Sequence, residues 1–237
     1  MHRLRALSLL GAVFSVGCLD TTGSNSVTLN FDFTNPTQAI GEGWTVGVAD
    51  VPESRMAEVA VADQYGNLPP PWAQYTGIAQ GGTSIDGKLF LFHKKWISSP
   101  WPPGRRFSVR VEMSIMSNQA TGCTGGPGPA VFLKAGASGE EPTSIADAQG
   151  ILRFNLDKGT VGSGGRFALF GNITNGTPGC PADSLWNYIE FNGVNQAEEL
   201  TIDPDGGFWI FMATESTFSG SHRIYLLGVR IVLRPLD

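Results

Sequence analysis

The sequence predicts an all-β fold: two antiparallel sheets packed face to face as a jelly-roll sandwich, with little or no helix. Three observations predict it. Short runs of β-branched, aromatic and aliphatic residues alternate with Gly, Pro, Asn and Asp clusters, and 31 glycines and 15 prolines supply the turns. Phe107, Val109, Val111, Met113 and Ile115 alternate with polar residues at period two, which puts five apolar side chains on one face of a strand. Helical period is nearly absent; residues 143–148, after Pro142, are the one predicted turn of helix. Strands are expected at 27–33, 44–49, 56–62, 75–79, 88–97, 107–116 and 130–135. Others are expected at 151–157, 166–173, 185–191, 198–202, 208–214 and 223–233. Tyr225, Leu227, Val229, Ile231 and Leu233 read as a second alternating face. Leu89, Phe90, Leu91 and Phe92 are apolar on both faces, so their strand belongs in the centre of a sheet, covered on both sides. No internal repeat is visible, and the irregular spacing of the tryptophans argues against a propeller.

The first twenty residues have a different pattern. Arg3 and Arg5 precede an apolar run of eleven residues, 6–16, that ends at Gly17 and Cys18. This is the pattern of a secretory signal, and the run is too short to span a bilayer. Ser15, Val16, Gly17 and Cys18 resemble a bacterial lipobox, in which the cysteine is lipidated and becomes the mature N-terminus. Ser15 stands where such boxes usually carry Leu, and the same triplet also fits an ordinary small-x-small cleavage site. The expected organisation is therefore a signal peptide over 1–17, a polar lipid-anchored tether over 18–26 and one β-sandwich domain over 27–237. The expected location is outside the cytoplasm, as an envelope lipoprotein held to a membrane by its N-terminal lipid or as a secreted protein.

Loss of the leader removes Arg3 and Arg5 and leaves 14 Lys+Arg against 21 Asp+Glu, a net charge of −7. No run of basic residues exceeds two, so the chain lacks the stripe that neutralises phosphates, and nucleic acid is not an expected partner. With Cys18 assigned to lipid, Cys123 and Cys180 remain in two Gly/Pro-rich loops, and export predicts a disulfide between them. In the chain-entropy account such a bridge stabilises by roughly 4 kcal/mol.

Several phrases are familiar: GKLFLFHKKWI from Gly87, VEMSIMSNQATGC over 111–123, AVFLKAGAS over 130–138, FNLDKG over 154–159 and FWIFMATESTF over 208–218. They resemble an uncharacterised family of bacterial secreted proteins and lipoproteins, over most of residues 30–233. The resemblance implies an exported β protein and carries no catalytic residue with it.

The search for chemistry yields little. His93 and His222 are not at metal-ligand spacing. Asp203-Pro204-Asp205-Gly206-Gly207 opens like a calcium loop but lacks its later ligands, and reads as a hairpin turn. No cofactor is expected, a structural calcium aside. The segments 82–87 and 162–165 read as turns, since neither opens a helix. Asp50, Glu53, Glu112, Glu190 and Glu215 are candidate carboxylates in number only. His93, Lys94 and Lys95 beside Trp96 read as a strand leaving the core. The positive signal is aromatic: Pro69-Pro70-Pro71-Trp72 with Tyr75, and Pro100-Trp101-Pro102-Pro103, hold indoles on stiff backbone, and Trp186 and Tyr188 follow the Cys180 loop. Trp72, Tyr75, Trp101 and Trp186 are thus the candidate ligand-binding residues, with core-capping indoles as the competing account. The expectation is a non-catalytic binding module for carbohydrate or another extracellular polymer. A glycan-active enzyme with a carboxylate pair and a structural or protein-interaction lipoprotein are the alternatives. Radioactive palmitate is expected to label the wild-type chain and not Cys18→Ala; equal labelling of the two would remove the lipid anchor.

Overall fold

A computed structural model of the chain describes residues 26–35, 43–181 and 185–236. The export run, Cys18 and the tether through residue 25 lie outside the described residues. The strands are β1 (Val27–Asp32), β2 (Trp44–Ala49), β3 (Tyr65–Asn67), β4 (Thr76–Ser84), β5 (Leu89–Ser98), β6 (Arg106–Ser117) and β7 (Val131–Ser138). They continue as β8 (Ser144–Ala146), β9 (Leu152–Phe154), β10 (Ala168–Asn172), β11 (Asn187–Asn195), β12 (Leu200–Thr201), β13 (Gly207–Ser216) and β14 (Gly220–Pro235). The first sheet runs β11-β6-β14-β4-β3, with β1 added beside β14 and β12 beside β6; the second runs β10-β7-β13-β5-β2. All pairings within these sheets are antiparallel. The chain changes sheet at β1–β2, β2–β3, β4–β5, β5–β6, β6–β7, β10–β11, β12–β13 and β13–β14, and the two strand orders run in step, which is the wiring of a jelly roll.

The main core lies between the sheets. Phe107, Val109, Val111, Met113 and Ile115 of β6 face Val131, Leu133 and Ala135 of β7 and Phe208, Ile210 and Met212 of β13, all buried. The alternation of β6 thus becomes a half-buried strand with Ser108, Arg110 and Glu112 turned outward.

In β14 the expected single face is corrected. Ile115 pairs with Leu226 but Ser114 pairs with Gly228, so Leu227 is an extra residue, a β-bulge. Ile224 and Leu226 point into the core before it, and Val229, Ile231 and Leu233 after it. Tyr225 and Leu227, read from the sequence as inward, lie with Met116 on the outer face.

β5 has the expected two-sided burial. Leu89 and Leu91 join Val48, Val51, Val59 and Ile85 on one side. Phe90 and Phe92 join Phe154, Leu156, Phe167 and Phe211 on the other. Phe154 is the plug of this second cluster, with ring centroids 4.8 and 4.9 Å from Phe90 and Phe92. The Phe92 ring also explains Gly47 opposite it on β2, where a Cβ would lie 2.2 Å from the ring.

Two expected elements are replaced. Residues 56–62 are not a strand: Glu53–Glu58 form a 3-10 helix after Pro52, and the chain then drops Val59 into the core. Three alanines in that run offer little pleated surface to a sheet. Residues 143–148 are not helical, because the Asn155 side chain accepts from the Thr143 amide and Ser144–Ala146 pair with Leu152–Phe154 as a hairpin.

The segment that carries this hairpin covers the second sheet and seals a buried ionic group beneath it. Lys134 of β7 is wholly buried, and its ammonium meets Glu215 of β13 at 2.5 Å and the carbonyls of Lys158 and Thr160 at 2.6 and 3.0 Å. Lys158 donates to Glu215 and pairs with Asp50 at 3.0 Å. Desolvation opposes the charge on Lys158, but Glu215 and Asp50 outweigh it and hold its pKa above the usual value; for Lys134 desolvation prevails and lowers it. Lys134→Met leaves Glu215 with one cation, so about 3 kcal/mol of stability should be lost in urea unfolding, the low end for a broken buried pair.

His93 and His222 are buried between the sheets, 3% and 4% exposed, and burial pushes both imidazoles down to about 4 from an ordinary 6.5. The unfolded chain takes up these protons near pH 6.5 and the folded chain only near pH 4. Stability is therefore full above pH 6.5 and declines as pH falls toward 4, by roughly 3 kcal/mol per histidine. Unfolding midpoints measured across this window should fall with acidity, and His222→Gln should flatten the slope.

Candidate ligand-binding surface

The register slip in β14 builds an aromatic patch on the outer face of the first sheet. Tyr188 of β11 pairs with Met116 of β6, and Met116 with Tyr225 of β14, so the three side chains stand in one cross-strand row. Trp186, just before β11, packs edge-on against Tyr225 with ring centroids 5.1 Å apart. The Pro-rich loop between β3 and β4 closes over the same end. Leu68 drops under it beside Met116 and Leu227, and turns at 69–72 and 72–75 bring the chain back so that the Leu68 amide donates to the Tyr75 carbonyl at 3.0 Å. Those turns present Trp72, whose indole N–H donates to the Trp186 carbonyl at 3.0 Å, and Tyr75, 6.3 Å from the Trp72 ring.

Exposure separates buttress from contact surface. Trp72, Trp186 and Tyr225 are half-buried against Leu68, Met116 and Leu227. Tyr75 is 45%, Tyr188 54% and Leu185 70% exposed, three of the five large apolar side chains so exposed among the described residues. Polar groups border the patch: Glu190 stands opposite Ser114, and Glu112 holds Arg230 at 3.1 Å across the sheet. Partial desolvation, aided by the Glu190 charge, keeps the Tyr188 phenol above its ordinary pKa, so it remains a hydroxyl donor.

The structure joins Cys123 to Cys180 with Cα atoms 4.6 Å apart, closing a separation of 57 residues. The two bridged loops lie at this end of β6. Asn175 spans the gap between them and the patch, donating to the Ser117 and Leu185 carbonyls at 3.2 and 3.1 Å, and Asn187 donates to Thr177 at 3.1 Å. Trp186 sits between these two anchors, so the bridged loops hold the chain that carries it.

Of the four aromatic residues singled out from the sequence, the structure brings Trp72, Tyr75 and Trp186 together and places Trp101 elsewhere. Trp101 packs 4.6 Å from Phe107 against the main core, at the opposite end of β6, roughly 30 Å from Met116 at ~3.3 Å per residue. It caps the sandwich, as a large indole on a core edge does. Tyr225 was hidden because the bulge leaves no mark in the alternation. The pairing of Trp96 with Trp209 was hidden too: they face each other across β5 and β13, 5.3 Å apart, with the Lys94 ammonium over Trp209. Only register could have paired them.

The remaining candidates settle into structural roles. Lys94 is held by Glu141 at 2.5 Å and by the Pro142 carbonyl. The Asp203 carboxylate accepts from the Asp205 amide, and Gly206 takes φ 80° in a turn between β12 and β13. Asp86 and Gly87, with φ 53° and 68°, make the tight turn from β4 to β5. Asp50 and Glu215 belong to the covered ionic group, and Glu112 to an ion pair on the sheet surface.

The sequence matches no family model and no curated protein. Solved structures resemble it at low identity and low TM-score. A carbohydrate-binding module of the β-sandwich superfamily is 14% identical with a TM-score of 0.38, over 92% of this chain and 64% of that one. The K3 cleaved adhesin domain of Lys-gingipain from Porphyromonas gingivalis is 14% identical with a TM-score of 0.37, over 87% and 98%. A carbohydrate-binding module that recognises mannan is 10% identical with a TM-score of 0.39, over 88% and 98%. The fold itself rests on the strand pairing described above.

Proposed function

We propose that this chain is a non-catalytic binding module, exported and held to the envelope through Cys18, that takes a carbohydrate or another extracellular polymer on the outer face of its first sheet. The observation that carries the reading is the gathering of Trp72, Tyr75, Trp186, Tyr188 and Tyr225 at one end of that face, with Tyr75 and Tyr188 half in solvent. Aromatic rings stack on the apolar faces of sugars, and rings already fixed by packing lose little entropy when a ligand docks. Glu190, Ser114 and the Tyr188 hydroxyl stand beside the rings as partners for ligand hydroxyls. The disulfide fits an oxidising compartment. The enzyme alternative draws less support, because Asp50 and Glu215 share the Lys158 ammonium in the covered ionic group and are not free as an acid and a base.

The test is a glycan-array screen followed by titration of the hits. Tyr75→Ala combined with Tyr188→Ala removes two exposed rings, so affinity should fall about tenfold, near 1.4 kcal/mol, with little change in melting temperature. Trp101→Ala should do the reverse, lowering stability by about 2 kcal/mol and leaving affinity intact. No glycan signal, or a signal indifferent to the tyrosine pair, would end the reading.

A further inference from the structure

A second site lies on the other side of β4, between the sheets. β2 and β3 are the outermost strands of their sheets, and at this open edge a cavity of about 210 Å³ is lined by Trp44 and Val46 of β2, His93 of β5, Tyr65 of β3, Ile78 of β4 and Asp63. Val46 stands opposite His93 in one sheet and Tyr65 opposite Ile78 in the other, so two cross-strand pairs form facing walls. His93 is 3% exposed, and apart from a weak approach by the Asp63 backbone neither ring nitrogen has a hydrogen-bond partner. A buried polar group left poorly paired is destabilising, and this one opens onto the cavity. We propose that the slot is a binding site for one neutral, hydroxyl-rich ring, the size of a single pyranose.

The lining selects this chemistry. Burial keeps His93 neutral, so it offers one N–H donor and one acceptor nitrogen, the complement of a hydroxyl group. Asp63, exposed at the mouth, adds acceptors and disfavours anions. Tyr65 is fixed as a wall, its hydroxyl engaged by Thr76 at 2.7 Å and by the Asn35 carbonyl at 3.3 Å. Trp44 is fixed too, edge-on to Phe31 and Phe33 at 5.6 Å each, and with Val46 and Ile78 it supplies apolar surface for a ring face. Lys95, opposite Trp44 on β5, directs its ammonium to the Phe31 ring at 6.0 Å. A wholly apolar ligand would leave His93 unpaired, and the slot itself has room for one ring. The volume falls below the ~300 Å³ at which sites for drug-sized ligands begin.

The experiment uses the purified chain labelled with nitrogen-15 histidine and the methyl glycosides of glucose, mannose and galactose as probes. At least one glycoside should shift the His93 ring nitrogens in the millimolar range while those of His222 stay in place. Val46→Phe, which fills the slot and leaves the imidazole intact, should abolish the shift. Tyr75→Ala with Tyr188→Ala should preserve it, which separates this site from the outer aromatic patch. His93 resonances unmoved by every probe would mean that only water occupies the slot and would overturn the proposal, as would a shift that survives Val46→Phe.

Discussion

One extra residue in the last strand governs both faces of the first sheet. β14 is sixteen residues long and pairs with β6 on one side and with β4 and then β1 on the other, so the sheet is organised around it. A strand of that length with strict alternation would bury one set of side chains throughout. The bulge at Leu227 reverses the phase: Ile224 and Leu226 enter the core from one half, and Val229, Ile231 and Leu233 from the other. The Leu227 carbonyl is taken up by the Phe33 amide at 2.8 Å, so the slip does not strand that acceptor. The same slip turns Tyr225 and Leu227 outward and supplies the floor on which Trp72 and Trp186 rest.

The two sheets then part company on their outer sides. The second is covered: Phe154 and Phe167 close an aromatic cluster over Phe90, Phe92 and Phe211, and Lys134, Glu215, Lys158 and Asp50 neutralise one another beside it. Burying four charged groups gains little net stability, but removing any one leaves the others unbalanced, so the covering segment is held in one position. Among the described residues the first sheet carries no such cover, with Arg110 and Glu112 of β6 turned outward and rings gathered at one end. That contrast is the reason the polymer site is proposed on the first sheet.

Much of the architecture was legible because it follows from burial alone. The alternation of Phe107 to Ile115 marked a half-buried strand, and the unbroken run Leu89 to Phe92 marked a strand covered twice. The run at 56–62 misled because Val59 and Val61 give it strand-like content, and apolar content alone does not distinguish a strand from a tight helical turn. The run at 143–148 misled because its fate depends on Asn155, which reaches back to the Thr143 amide from across a hairpin. For the site, rigid Pro-rich loops drew attention to Trp72, Tyr75 and Trp101 alike, and nothing local separates an indole that caps a core from one that borders a surface.

By itself, the sequence determined the class of fold, the two-sided burial of β5, though β13 and not β5 takes the centre of the sheet, the two cysteines that pair and the aromatic residues worth watching, because each follows from composition, period two or loop chemistry. Tertiary structure decided which aromatics meet, which face of β14 looks outward and which buried histidine borders a cavity. Those depend on strand register and on which sheet edges remain open, and a shift of one residue reverses every side chain beyond it without altering the local pattern on either side.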